Sequence, residues 1–227
     1  MISSNTLTYK PYYYAHADDG SEYIVIYGNA VTIANEFIAH WLSEKLNLST
    51  AKMQLVSQNC IIPSDYTLAI ECIEGLRGVR NFNLPKKLQE ELIGHLTVCY
   101  LLGNLDSVRF YTDSEHVYAF NYRNAFHFSG SPSSGNDDKE LKKENLKRYK
   151  NYLRSVDFDV SELAEKWSIA TEQLRTTMID YSKRLLQITS KDIRELKKEL
   201  CKLYSEDLVD IYVNHISSLK SHVTKYS

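Results

Sequence analysis

Few residues in this chain fall into patterns that do chemistry by themselves. Its seven histidines form neither His-Glu-x-x-His nor a tight cluster with Cys or Asp, which argues against a metal site. No G-x-S-x-G, G-x-x-x-x-G-K or G-x-G-x-x-G occurs, so a nucleophile elbow, a P-loop and a dinucleotide fingerprint are excluded. What remains is residues 101–128, LLGNLDSVRFYTDSEHVYAFNYRNAFHF. It reads as the end of an apolar helix, a tight polar loop holding Asp106, a short strand pair and a second polar loop holding Asn121. A carboxylate in a loop after a helix is also an ordinary turn-former. His40 and His95 sit among apolar residues on predicted helices and read as core histidines.

The elements that must position this stretch follow from pattern. Residues 7–15 and 22–28 are rich in tyrosine and β-branched residues around Asp19-Gly20, which predicts an antiparallel hairpin. A helix follows over 31–48, with Ile33, Phe37, His40, Trp41 and Leu48 mostly on one face and Asn29 or Thr32 as cap. Strands are expected at 52–58 and 66–74, and a loop at 75–85. A helix of about five turns then carries Leu88, Leu92, His95, Leu96 and Cys99 along one side, from Pro85 to Gly103-Asn104. Strands at 108–112 and 116–121 flank a turn at Asp113-Ser114. Beyond the Ser-rich linker 129–138, helices are predicted at 139–155, 160–187, 190–204 and 206–223, with Ser190 and Ser205 as caps. Domain boundaries are set at 1–75 for a β-rich N-terminal lobe and 76–227 for a helical lobe.

Composition narrows the functional classes. With 227 residues, 43 % hydrophobic and 25 % charged, the chain has enough apolar surface for a real core. A net charge of −2 and pI near 6.4 argue against a general nucleic-acid binder, because phosphate neutralisation needs a basic face. The Lys-rich run 138–150 interleaves Lys with Glu at helical spacing and reads as a solvated helix face. Cys60, Cys72, Cys99 and Cys201 lack C-x-x-C spacing, and the first residues, MISSNTLTYK, lack an apolar core of signal length. A cytoplasmic protein without a membrane span is the expectation.

Three segments in order resemble the HipA-like kinases, over about residues 20–128. Asn35-Glu36-Phe37-Ile38-Ala39 is similar to the family's N-E-x-x-A helix segment. Gly103-Asn104-Leu105-Asp106-Ser107-Val108-Arg109-Phe110-Tyr111 is similar to its G-N-x-D-R-H-x-x-N catalytic loop. Phe120-Asn121-Tyr122-Arg123-Asn124-Ala125-Phe126 is similar to its I-D-H-G-x-A-F metal-binding segment. The resemblance implies an α+β, two-lobed kinase-like fold, with a small β-rich lobe carrying one helix and a larger helical lobe.

The resemblance also implies roles, and shows departures from them. The ATP-binding lysine falls on Ile26 or Tyr27. Glu36 stands where that lysine's ion-pair partner belongs, and without the lysine it reads as a solvated or locally hydrogen-bonded helix residue. Asp106 matches the base that accepts a substrate hydroxyl proton. The metal-binding Asn falls on Tyr111 and the metal-binding Asp on Asn121. Asp18 and Asp19 would face the phosphates. Phosphoryl transfer depends on neutralising and positioning charge, so this pattern points to a pseudokinase acting through a protein partner, with no metal or cofactor. The family suggests a bacterial toxin–antitoxin or similar regulatory setting. One alternative is an atypical Ser/Thr kinase using ATP and Mg²⁺, with Asp106 as base, Asn121 as weak ligand and Arg109 or Arg123 as relocated cation. The other is a non-kinase helical interaction module.

Overall fold

Two adjacent strands set the first sheet, in a computed structural model that describes residues 12–56, 66–127 and 138–227. Strands β1 (Tyr12–His16) and β2 (Glu22–Gly28) pair antiparallel, with His16 opposite Glu22. The Asp19-Gly20 turn closes them as expected: Gly20 takes φ +84°, which a residue without Cβ adopts freely, and Asp19 Oδ1 accepts the Ser21 amide at 2.9 Å. Strands β3 (Met53–Val56) and β4 (Tyr66–Glu71) complete the order β1-β2-β4-β3. Ile26 lies opposite Leu68, and Leu68 opposite Leu55, so one face carries a continuous apolar row. The expected residues 57 and 58 of the third strand, residues 7–11 of the first and the linker at 129–137 lie outside the described residues.

Helix α1 (Ala30–Lys45) joins β2 to β3 and packs on β4. Of the two cap candidates Asn29 serves, its Oδ1 accepting the Thr32 amide at 2.8 Å. The helix ends earlier than the pattern predicts, where Asn47 turns to φ 57°, and Leu48 is buried beyond it.

Helix α2 (Lys86–Leu102) runs from Pro85 to Gly103, which takes the left-handed cap at φ 68°. All five residues assigned to its inner side are buried, and so are Ile93, Val98, Leu101 and Leu102, because α1 and α5 (Thr171–Arg184) enclose it. Gly94 marks the closest approach. A Cβ there would meet Leu48 Cδ2 at 2.4 Å and the Tyr181 ring at 2.8 Å. Gly94→Ala is therefore expected to lower stability by about 1–2 kcal/mol, overpacking outweighing the roughly 1 kcal/mol gained in helix propensity. A urea midpoint equal to or above that of the unchanged chain would show that Leu48 and Tyr181 yield freely.

A second, three-stranded sheet follows, β5 (Arg77–Gly78), β6 (Arg109–Thr112) and β7 (Val117–Phe120). Strand β5 corrects the reading of 75–85 as loop alone; two residues are too few to show alternation. At the β6–β7 turn Asp113 Oδ1 accepts the Glu115 and His116 amides, both at 2.8 Å, and Ser114 takes φ 84°.

The helical half comprises α3 (Asp138–Ser155), α4 (Ser161–Trp167), α5, α6 (Ser190–Leu200) and α7 (Glu206–Val223). The single helix predicted over 160–187 is broken between α4 and α5, where Ser168 adopts φ 53°. The cap of α6 is Thr189, not Ser190: Thr189 Oγ1 accepts the Asp192 amide while Asp192 Oδ2 accepts the Thr189 amide. Ser205 caps α7 as expected, accepting from the Leu208 amide at 3.4 Å. On the Lys-rich face of α3, Arg148 pairs with Glu144 at 2.6 Å, while Tyr149 and Leu153 turn inward, where α3 packs on α7. One apolar cluster runs from Ala30 to Val223. The fold is thus mixed α+β. Among the described residues no helix is long and apolar enough to cross a membrane.

Candidate functional site

Two neighbouring side chains of α1 hold the second polar loop by its backbone. Glu36 is 1 % exposed. Its Oε1 accepts the Asn121 amide at 2.8 Å and its Oε2 the Tyr122 amide at 2.6 Å. His40, one turn further on, brings Nε2 to 3.3 Å from Oε1, with its ring flanked by Phe120 and Tyr122. Asn35 grips the other polarity: its Nδ2 donates to the Arg123 and Ala125 carbonyls at 2.8 and 2.9 Å. Its Oδ1 in turn accepts the Tyr212 hydroxyl at 2.6 Å, which ties α7 into the same junction. The loop needs this support because Asn121 and Phe126 have φ of 79° and 62°.

The first polar loop is stitched to the second. Asn121 Nδ2 donates to the Ser107 carbonyl at 2.7 Å, and the Ser107 hydroxyl lies between Asn104 Oδ1 and the Asn121 carbonyl, 3.1 Å from the latter. Helix α2 fixes the adjoining strand in the same manner. Glu91 Oε2 accepts the Val117 amide at 2.7 Å and His95 Nε2 donates to the Val117 carbonyl at 2.8 Å.

Asp106 belongs to the first loop, but its exposed side chain lines a different space. An open hollow of about 570 Å³ is bounded by Arg80, Asp106, Arg109, Tyr111, Lys166 and Trp167, with the edge of Phe110 against the Trp167 ring. Among the described residues no hydrogen bond or ion pair engages the Asp106 carboxylate. Its carbonyl accepts from Arg109 Nη1 at 3.0 Å, and the same nitrogen reaches the Ser107 and Val108 carbonyls.

Of the three residues singled out in the sequence, Glu36 and Asn121 therefore meet directly, and Asp106 stands apart from both. Glu36 is not solvated, which corrects that half of the reading; the local bond holds, to His40 one turn on, but its two backbone partners lie 85 and 86 residues away. Ile26 packs against the core in the apolar row of β2, β4 and β3. Arg109 serves as a backbone tie through Nη1, and among the described residues it has no ion-pair partner. Sequence reasoning passed over Asn35 and Ser107 as functional positions, although the adjacent Asn35-Glu36 pair on an otherwise apolar helix is a signal in itself. Arg80 and Lys166 carry no local signal, since they reach Asp106 only through the fold.

The buried groups beside this junction are poor nucleophiles. Burial pushes the Cys99 thiol up to about 12, and pushes the Tyr122 phenol well above its ordinary range. His95 is held down to about 4 by burial, against the pull of the Val117 carbonyl and the Glu91 carboxylate. Beside this junction, the groups open to solvent are the Asp106 carboxylate and the Arg80, Arg109 and Lys166 cations that line the same hollow. No family model matches the chain, and no curated protein matches it.

Proposed function

We propose that the chain is a catalytically deficient kinase-like protein, akin to the HipA-like kinases, that works by binding another protein. The observation that carries this reading is the use of Glu36. In a phosphoryl-transfer site the corresponding carboxylate pairs with the lysine that holds nucleotide phosphates. Here both its oxygens are taken by the amides of Asn121 and Tyr122. The positions the resemblance gives to that lysine are Ile26, in an apolar row, or Tyr27 beside it, and neither side chain carries a positive charge. Asn121 replaces a charged metal ligand by an amide, and Tyr111 replaces a second ligand by a phenol, so little remains to offset the charge of a nucleotide triphosphate. The order of elements also supports the reading: strand, helix bearing Glu36, long helix, polar loop, hairpin and second polar loop. A two-lobed arrangement is part of this proposal, as is a bacterial regulatory setting of the toxin–antitoxin kind.

A second reading rests on Asp106, an exposed carboxylate in an open hollow among Arg80, Arg109 and Lys166. It makes the chain an atypical Ser/Thr kinase, with ATP and Mg²⁺ as cofactors. Calorimetry with Mg-ATP, joined to a transfer assay with labelled γ-phosphate, separates the two. The first reading expects no saturable binding at micromolar nucleotide and no transfer. It also expects Ile26→Lys to leave both unchanged, because Glu36 is already engaged. Micromolar binding with transfer that Asp106→Ala abolishes would overturn it in favour of the second.

A further inference from the structure

A groove between α3 and α7 gathers positive charge in a chain that is slightly acidic overall. Lys150 and Arg154 stand one turn apart on α3, about 6 Å along its axis. Lys225 faces them from the short 3₁₀ turn Thr224–Tyr226 after α7. With Asn214, Ser221 and His222 they line a groove of about 460 Å³, and no carboxylate is among its lining residues. Like charges at this spacing repel each other, and among the described residues none of the three cations has an ion-pair partner.

The donors are arranged for an acceptor from outside. Ser217 and Ser218, also in the wall, spend their protons on the Val213 and Asn214 carbonyls at 2.9 and 2.8 Å. The Ser221 hydroxyl makes no such bond among the described residues. His222 also lines the wall; it is 4 % exposed, and its Nε2 is buried with no hydrogen-bond partner among the described residues, as is one ring nitrogen of each of His40 and His95. Burial and the nearby Lys225 hold its imidazole below the ordinary range, with Asp157 opposing them. A protein partner is a poor fit, because the only apolar wall residue is Leu153 and an interface core needs apolar or aromatic anchors. Phosphate oxygens, by contrast, form strong charge-assisted bonds with ammonium and guanidinium groups.

We propose that this groove binds a small phosphate-bearing ligand, held by Lys150, Arg154 and Lys225, with Ser221 and Asn214 as neutral partners and the buried His222 imidazole as a reporter of the added negative charge. The inference is independent of the kinase-like reading.

The test uses the full chain with pyrophosphate and with orthophosphate, against chloride at matched ionic strength. Calorimetry should show one saturable site, and the His222 imidazole resonances should titrate at higher pH when the anion is bound. Tighter binding of pyrophosphate assigns a diphosphate ligand, equal affinity a monoester; either upholds the site. Lys150→Ala with Arg154→Ala, both at exposed positions, should weaken binding at least tenfold and abolish the His222 shift, whereas Lys166→Ala in the Asp106 hollow should change neither. Absence of a saturable site, or binding indifferent to the double substitution, overturns the proposal.

Discussion

Glu36→Ala is expected to destabilise the chain by roughly 3–5 kcal/mol, among the largest effects available to one side chain. The carboxylate accepts two backbone amides and faces His40, and it does so at 1 % exposure. Alanine leaves the Asn121 and Tyr122 amides without an acceptor. It also leaves a cavity beside His40 that water must enter or the loop must collapse into. Glu36→Gln is expected to cost about half as much, since one oxygen still accepts while the NH₂ group meets an N–H donor. Urea unfolding with an unchanged slope and a lowered midpoint is the readout. A shift of less than about 0.5 kcal/mol for Glu36→Ala, the ordinary range for surface positions, would mean that the loop is held by other contacts.

Acid is expected to weaken the fold well before its carboxylates titrate. Burial holds both His95 and His215 down to about 4, against the pull of the Val117 and Ile211 carbonyls respectively, whereas an unfolded histidine titrates near 6.5. Between those values the unfolded chain binds more protons than the folded one, so stability falls as pH falls. The contribution of the two groups is intact above about pH 6.5 and is lost by about pH 4. At pH 4.5 the loss comes to about 5 kcal/mol for the pair, from the 1.36 kcal/mol carried by each pH unit. Asp113 and Asp159 act in the same sense but in a lower pH window. Amide and hydroxyl bonds lower their pKa, so what they contribute persists above the unfolded value and goes only in stronger acid. Denaturant midpoints at pH 7.5 and pH 4.5 measure the histidine window separately. Equal midpoints at the two pH values would show that water reaches both imidazoles in the folded state.

The parts of this fold that were legible in sequence are those with local causes. Asp19-Gly20 sets a hairpin, Pro85 and Gly103 bracket α2, and the tyrosine and β-branched residues of 22–28 give β2 to the residue. The break at Ser168 was hidden because no glycine or proline announces it, and a serine in the left-handed region has no sequence signature. Strand β5 exists only because β6 offers it a partner, so its two residues carry no period of their own. The candidate site divides in the same way. Asp106 and Asn121 stand out from their loops, whereas the role of Glu36 depends on a contact across 85 residues that no helical period encodes. The hollow around Asp106 is a further case: Arg80, Asp106 and Lys166 come from β5's loop, the first polar loop and α4, and only tertiary packing makes them neighbours.

The grip of Asn35 and Glu36 on the 121–125 segment has a mechanical consequence. One helix satisfies amides at one end of the loop and carbonyls at the other, and Tyr212 anchors that helix from behind. Sliding α1 by even one residue would strip four backbone groups of their partners together, so no hinge can lie between helix and loop. They form a single lever, whose free end is the Asn121–Ser107 stitch to the loop that carries Asp106. A force applied to α7 through Tyr212 reaches that loop without crossing a flexible joint.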